Sequence, residues 1–212
     1  MALDRQSLIK ELVTRRLVVD PITPKHLQAA GLQLSLGPNL AKMKREWWRL
    51  WWQKAIDPAR GIGPEWTTFQ LHPTKGYKLN PGEFALGHTL EKLTIPRNLL
   101  GMIDGKSSMA RIGLPPHQAA MAIWPGHGDG PDGPRSITLE LKNLGDRPII
   151  LRTGMFLANL TLHRLECPVE TGYDQLVTSK YSGDAGIMLP RFNGELIDLG
   201  AVISDVSVLL HV

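Results

Sequence analysis

The sequence predicts a mainly β domain, a barrel or sandwich, on three observations. Apolar and polar residues alternate over short runs at 32–37, 136–142 and 156–165, the period of half-buried strands. Turn signals recur about every 8–12 residues, as sandwiches and barrels require. With 21 Gly and 16 Pro in 212 residues, the chain is also interrupted too often for a helical bundle.

Taken in order, residues 4–16 predict an amphipathic helix. Leu8, Ile9, Leu12 and Val13 recur at helical spacing, and Lys10, Glu11, Arg15 and Arg16 face outward. A short apolar run at 17–22 ends at the Pro21 and Pro24 breaks, and 32–37 is a strand. Within 42–60, Trp47, Trp48, Trp51 and Trp52 form two pairs four residues apart, which a helix gathers on one face amid Lys44, Arg45, Arg49 and Lys54. This reads as an inserted helix, the insertion covering about residues 42–65, that packs on its own barrel or a neighbouring subunit. A base-stacking or partner patch and a membrane-surface helix are the alternatives. Strands follow at 66–71 and 77–90, punctuated by Pro73, Gly76 and the Pro81-Gly82 turn, and at 93–103, interrupted by Pro96. Residues 117–123 are small or apolar, and 124–134 is a Gly-, Pro- and Asp-rich loop. Strands return at 136–142, 149–151 and 156–165. A main domain over 1–190 and a C-terminal extension over 191–212 result; Leu196, Ile197, Leu199, Val202 and Leu209 make the extension too apolar for a free tail.

Composition narrows the function. A net charge of +4 attracts a polyphosphate but falls short of a nucleic-acid binder. The single Cys167 leaves no disulfide framework and no cysteine-rich zinc site. Nothing reads as a signal peptide or as a span of about 20 apolar residues, so no membrane is expected and the default compartment is the cytoplasm.

Two stretches carry chemistry. From Gly105 the chain reads Gly-Lys-Ser-Ser-Met-Ala-Arg-Ile-Gly-Leu. Ser107 and Ser108 offer hydroxyl donors and Lys106 and Arg111 bring charge, which together make an anion site. The same residues also read as a solvated turn with a helix N-cap serine. Glu140 is the one acid in Ile137-Thr138-Leu139-Glu140-Leu141. A carboxylate in apolar surroundings tends toward a raised pKa, which suits proton shuttling; a strand-edge acid reaching solvent is the plain alternative.

The Pro81-Gly82-Glu83 strand start, the Thr89-Leu90-Glu91 strand end and the Ser-Ser-Met-Ala-Arg-Ile-Gly-Leu motif, in that order, resemble the dCTP deaminase branch of the dUTPase-like trimeric β-barrel family. Lys106 stands where the family's first arginine is usual. The resemblance covers roughly residues 32–186, with two insertions. It implies a distorted dUTPase-like barrel with an N-terminal helix and the inserted Trp-rich helix, assembled as a homotrimer with sites between subunits.

The resemblance further implies roles. Glu140 is the general base and acid, activating water for attack on the cytosine C4 and then protonating the departing amine. Ser107 holds the attacking water, and the backbone carbonyl of Ala120 positions it. Lys106, Ser108, Arg111 and His117 belong to the nucleotide contacts. Tyr173, Lys180 and Tyr181 belong to a lid over the triphosphate, covering about residues 173–190. The implied reaction is hydrolytic deamination of dCTP, or of a modified deoxycytidine nucleotide, to the dUTP-type product. It is metal-independent, without zinc, and magnesium accompanies only the triphosphate.

The chain departs from the family at three further places. Gln33 and Ser35 occupy positions that are usually Asp and Arg, so any role of that pair is lost. Met121, Ala122 and Trp124 replace His, Arg and Asp; in dUTPases that Asp activates the water for pyrophosphate cleavage, and Trp124 instead stacks on a base or fills the subsite. Asp184 replaces a glutamine. These departures leave two alternatives, a nucleotide-binding regulatory barrel without standard turnover and a pyrophosphatase using Asp129 or Asp132.

Overall fold

The N-terminal helix α1 spans Arg5–Val13 in the computed structural model, which describes residues 1–44, 55–116, 120–176, 179–181, 186–192 and 195. Asp4 caps it, accepting a bond from the Ser7 N–H at 2.8 Å. Leu8 is fully buried, as its spacing predicts. Glu11 is buried too, against the outward placement read from the sequence. Its two carboxylate oxygens accept from Arg16 Nε at 2.7 Å and Arg164 Nη2 at 3.0 Å, and those bonds hold its carboxyl below the usual range despite burial. Val13 is exposed instead.

Twelve strands follow among the described residues: β1 Val18–Asp20, β2 Leu32–Ser35, β3 Asn39–Met43, β4 Trp66–Gln70, β5 Tyr77–Leu79, β6 Phe84–His88, β7 Lys92–Thr94, β8 Leu99–Gly105, β9 Ala122–Ile123, β10 Thr138–Lys142, β11 Ile149–Leu151 and β12 Phe156–Arg164. A four-residue helix, α2, covers Ser107–Ala110. The long apolar runs split where the breakers stand: Pro81-Gly82 separates β5 from β6, and Pro96 separates β7 from β8. All pairings are antiparallel. One sheet runs β10-β6-β3-β4, a second runs β2-β12-β8-β9, and two ribbons pair β1 with β7 and β5 with β11. The inward residues of both sheets, among them Leu32, Leu34, Leu40, Ile103, Leu139, Leu141 and Leu160, form one buried apolar cluster with Leu79 of the β5–β11 ribbon.

The sequence reading missed β3 and began a helix at residue 42. Lys42 and Met43 are strand, paired with Thr67 and Trp66. The alternation is hidden because Lys42 is partly buried against polar groups, donating to Tyr77 Oη at 2.6 Å and pairing with Glu83. Farther on, Asp57 and Ile62 bridge around a 3-10 turn at Pro58–Arg60, so no single helix covers 42–60. Trp47, Trp48, Trp51 and Trp52 lie outside the described residues, as do Leu196, Leu199 and Leu209 of the extension.

The chain divides into two units. The first comprises Met1–Lys44 and Glu65–Leu189 and holds both four-stranded sheets. The second comprises Arg45–Pro64 and Pro190–Val212. Within it the Phe192 ring lies so close to Gly63 that a Cβ there would stand 2.6 Å from the ring.

A buried carboxylate joins the two sheets of the first unit. Glu91 is fully buried and accepts three bonds, from Ser35 N–H at 2.9 Å, Ser35 Oγ–H at 2.5 Å and His26 Nε2 at 3.0 Å. The Thr23 N–H donates to His26 Nδ1 at 2.9 Å, which leaves Nε2–H as the donor to Glu91. Ser35 therefore keeps a role at the position where an arginine was expected. Thr89 completes the junction: its N–H donates to the Ile137 carbonyl, and its Oγ1 accepts from the Ile137 N–H at 2.9 Å. Replacing Glu91 with Ala strands three buried donors, and a loss of about 3 kcal/mol in unfolding free energy is expected from urea titration. A loss below about 1 kcal/mol, the value of a surface pair, would overturn this account of the junction.

Candidate active site

The Ser-Ser motif forms a short exposed turn at the end of β8. Lys106 is the residue before α2, and its N–H donates to the Leu157 carbonyl at 2.8 Å, fixing the turn to β12. Ser107, Ser108 and Arg111 are all exposed. The Lys106 ammonium lies over the Phe156 ring, 5.4 Å from its centroid. Gly113 ends the turn with φ +78°, and a Cβ there would meet the Gly145 nitrogen at 2.5 Å. Four polar groups are thus displayed on a backbone that is locked from behind.

Glu140 lies on the other sheet. It is half-buried in β10 and sits opposite Leu86 of β6 in register. Thr138 and Lys142 share its face, while Leu139 and Leu141 fill the core. The strand predicted from its alternation is present, and the acid projects on the side away from the apolar cluster. Ala120 is exposed just before β9, and Trp124 just after β9 is 56% exposed. His117 and Asp184 lie outside the described residues.

The loop after Trp124 is tied down more firmly than its composition promised. Gly126 has φ +84°, and a Cβ there would stand 2.3 Å from the Gly172 Cα, so the loop meets the later segment backbone to backbone. The Tyr173 N–H donates to the Pro125 carbonyl at 2.8 Å, and Gly128 N–H donates to Asp174 Oδ2 at 2.9 Å. Arg97 bonds Asp129 at 3.0 Å, the Glu170 carbonyl at 2.8 Å and Gln175 Oε1 at 2.9 Å. Buried Arg135 pairs with Asp174 and donates to the Tyr181 carbonyl. Tyr173, Lys180 and Tyr181, read as lid residues, are each half-buried. Sequence reasoning named these three but not Arg135, Asp174 or Arg97, which tie the same segment down; the one available signal was an arginine directly before the Ser136–Lys142 run.

Residues 2–165 match the family model described as dCTP deaminase-like. The "dCTP deaminase, dUMP-forming" of Dictyoglomus thermophilum is 32% identical over 196 residues, 91% of this chain and 95% of its own length. That of Mycolicibacterium smegmatis is 35% identical over 189 residues, 88% and 93% of the two chains. Among solved structures, the 2'-deoxycytidine 5'-triphosphate deaminase of Agrobacterium tumefaciens superposes with a TM-score of 0.54 at 20% identity. The match covers 77% of this chain and about half of that one (48%), and shows a shared fold.

One buried group in the tied loop makes stability depend on pH. His127 is buried, and desolvation foremost, with the Arg135 charge, lowers its pKa to about 4. Because the folded pKa lies below the unfolded value, the unfolded chain binds the proton first as pH falls. Stability is therefore full above about pH 6.5 and drops between 6.5 and 4, by about 3 kcal/mol for a shift of this size. Urea unfolding at several pH values is expected to show that slope and to show it flattened in His127→Gln; an unchanged slope in the variant would sink the assignment.

Proposed function

The chain belongs to the dCTP deaminase-like family, and we propose that it catalyses hydrolytic deamination of dCTP, as a hydrolase acting on the C–N bond of the cyclic amidine. The observation that carries this is Glu140: an acid held at a half-buried strand position opposite Leu86, in a chain that matches the family across residues 2–165.

The reaction then runs as follows. The Glu140 carboxylate takes one proton from a water held by Ser107 Oγ and the Ala120 carbonyl while that oxygen adds to C4, and the second proton, left on the added oxygen, passes to N3. The tetrahedral centre collapses as Glu140 returns its proton to the exocyclic nitrogen. Ammonia leaves, the C4 carbonyl forms, and the nucleotide becomes a uracil nucleotide. Lys106, Ser108, Arg111 and His117 contact the nucleotide, Lys180, Tyr173 and Tyr181 meet the triphosphate, and Trp124 stacks on the base or fills its subsite. Magnesium enters as part of the substrate, on the triphosphate oxygens.

We assign the site to a homotrimer, with parts from neighbouring subunits. Support comes from the serine turn and Glu140 standing on different sheets, the turn with its hydroxyls outward.

The product we propose is dUTP. The Dictyoglomus thermophilum and Mycolicibacterium smegmatis relatives are called dUMP-forming, which adds a pyrophosphate cleavage. In this chain Trp124 occupies the position of the family Asp that serves as base for that step. Asp129 is held by Arg97, which argues against its use as a substitute. With dCTP and magnesium, ammonia release is expected without matching pyrophosphate release. Glu140→Gln is expected to lower ammonia release by at least about a hundredfold. Pyrophosphate appearing in step with ammonia would replace the dUTP assignment by a dUMP-forming one. Nucleotide binding without any ammonia would leave a regulatory binder.

A further inference from the structure

Arg135 and Asp174 form an ion pair whose side chains are 2% and 3% exposed, although both lie outside the strands, Arg135 at a single bridge to Leu93 and Asp174 in the 3-10 turn Tyr173–Gln175. Such a pair is costly to desolvate and is a weak source of net stability, so its geometry invites a reason for keeping it. The guanidinium is used as a fork. One arm binds Asp174 Oδ1 and the other binds the Tyr181 carbonyl. The second Asp174 oxygen accepts from Gly128 N–H at 2.9 Å. A guanidinium holds two acceptors at a fixed spacing, which a lysine ammonium on its flexible stem does not. The fork therefore sets the Asp174 side chain and the Tyr181 backbone relative to each other and to the loop at Gly126 and Gly128.

The residues so placed are the ones assigned to the triphosphate. Tyr173 adjoins Asp174, and Lys180 adjoins Tyr181. A further consequence is electrostatic. An acid within this segment would repel a polyphosphate, and direct pairing with Arg135 offsets that charge locally. We propose that Arg135 is a positioning residue for nucleotide binding: by holding Asp174 and the Tyr181 carbonyl at one guanidinium, it sets Tyr173, Lys180 and Tyr181 in place for the triphosphate before the nucleotide arrives. This rests on the assignment of those three residues made above. Placement in advance lowers the ordering cost of binding, so the effect belongs to affinity rather than to the chemical step.

The test uses the full chain and three variants: Asp174→Asn, Arg135→Lys and Lys180→Ala. Steady-state kinetics with dCTP and magnesium are combined with the rate of tryptic cleavage after Lys180 in the nucleotide-free chain; thermal melting identifies variants that stay folded. Asp174→Asn is expected to raise KM about tenfold with kcat within about twofold, the signature of lost uniform binding. Cleavage after Lys180 is expected to quicken about tenfold as the segment opens locally. Arg135→Lys, which keeps the charge but not the fork, is expected to fall between wild type and Asp174→Asn on both readouts, and it serves alone where Asp174→Asn does not fold. An unchanged KM in a folded variant, whether or not cleavage quickens, overturns the positioning role. Lys180→Ala separates the two layers. A raised KM there beside an unchanged Asp174→Asn overturns the positioning role only. An unchanged KM in Lys180→Ala overturns the triphosphate assignment and the proposal with it.

Discussion

The fold turns on one buried carboxylate. Glu91 sits between β6 and β7 and reaches β2 of the other sheet through both donors of Ser35. A buried carboxylate without donors would neutralise or unfold its surroundings, so the sheets approach only in the arrangement that delivers Ser35 and His26 to it. Thr89, two residues earlier, couples the same turn to Ile137 at the entrance of β10. The strand carrying Glu140 is thereby fixed relative to β2 and, through β12, to β8 and the serine turn. The placement of catalytic candidates follows from polar satisfaction in the interior as much as from apolar packing.

That dependence explains a division of labour in the site. The serine turn is rigid behind and open in front: Lys106 N–H is tied to β12, Gly113 is pressed on Gly145, and the hydroxyls face outward. Glu140 has apolar Leu86 opposite it, which suits a proton exchanger, whereas exposed hydroxyls and cations suit an anion. The loop from Trp124 to Arg135 belongs to neither sheet's regular ladder. It is ordered instead by close backbone contact at Gly126 and by buried charges at Arg135 and Asp174.

The parts of the molecule legible in the sequence are those governed by periodicity and by contiguous motifs. The β10 and β12 alternations, the breaks at Pro81-Gly82 and Pro96, and α1 with its Asp4 cap follow from local rules, and each is present. The serine motif was legible because its residues are consecutive. What escaped depends on partners distant in sequence. Strand β3 was hidden because Lys42 satisfies itself on Tyr77 and Glu83, so its charge mimicked a solvent-facing helix position. Glu11 read as a surface residue because Arg164, far along the chain, completes its shell. Arg135 and Asp174 carried no local signal, since each looks like an ordinary loop charge until the other is brought to it.

The same reasoning bears on the exchange of Asp for Trp at position 124. A carboxylate at this place would join a loop that already holds Asp129 and is bonded at Gly128 by Asp174, each of these acids held by one arginine. A neutral, exposed tryptophan adds no further charge, and its ring offers a flat apolar surface beside β9. The loop after it is anchored to the segment from Gly172 to Gln175 through main-chain contacts at Pro125 and Gly126. Change at this one position therefore alters the side chain displayed beside β9 without disturbing the framework, because the backbone is fixed by neighbours. Under the proposed function the two features divide the work: the Trp124 ring would bear on what is recognised, and the Arg135–Asp174 pair would hold the segment assigned to the phosphates.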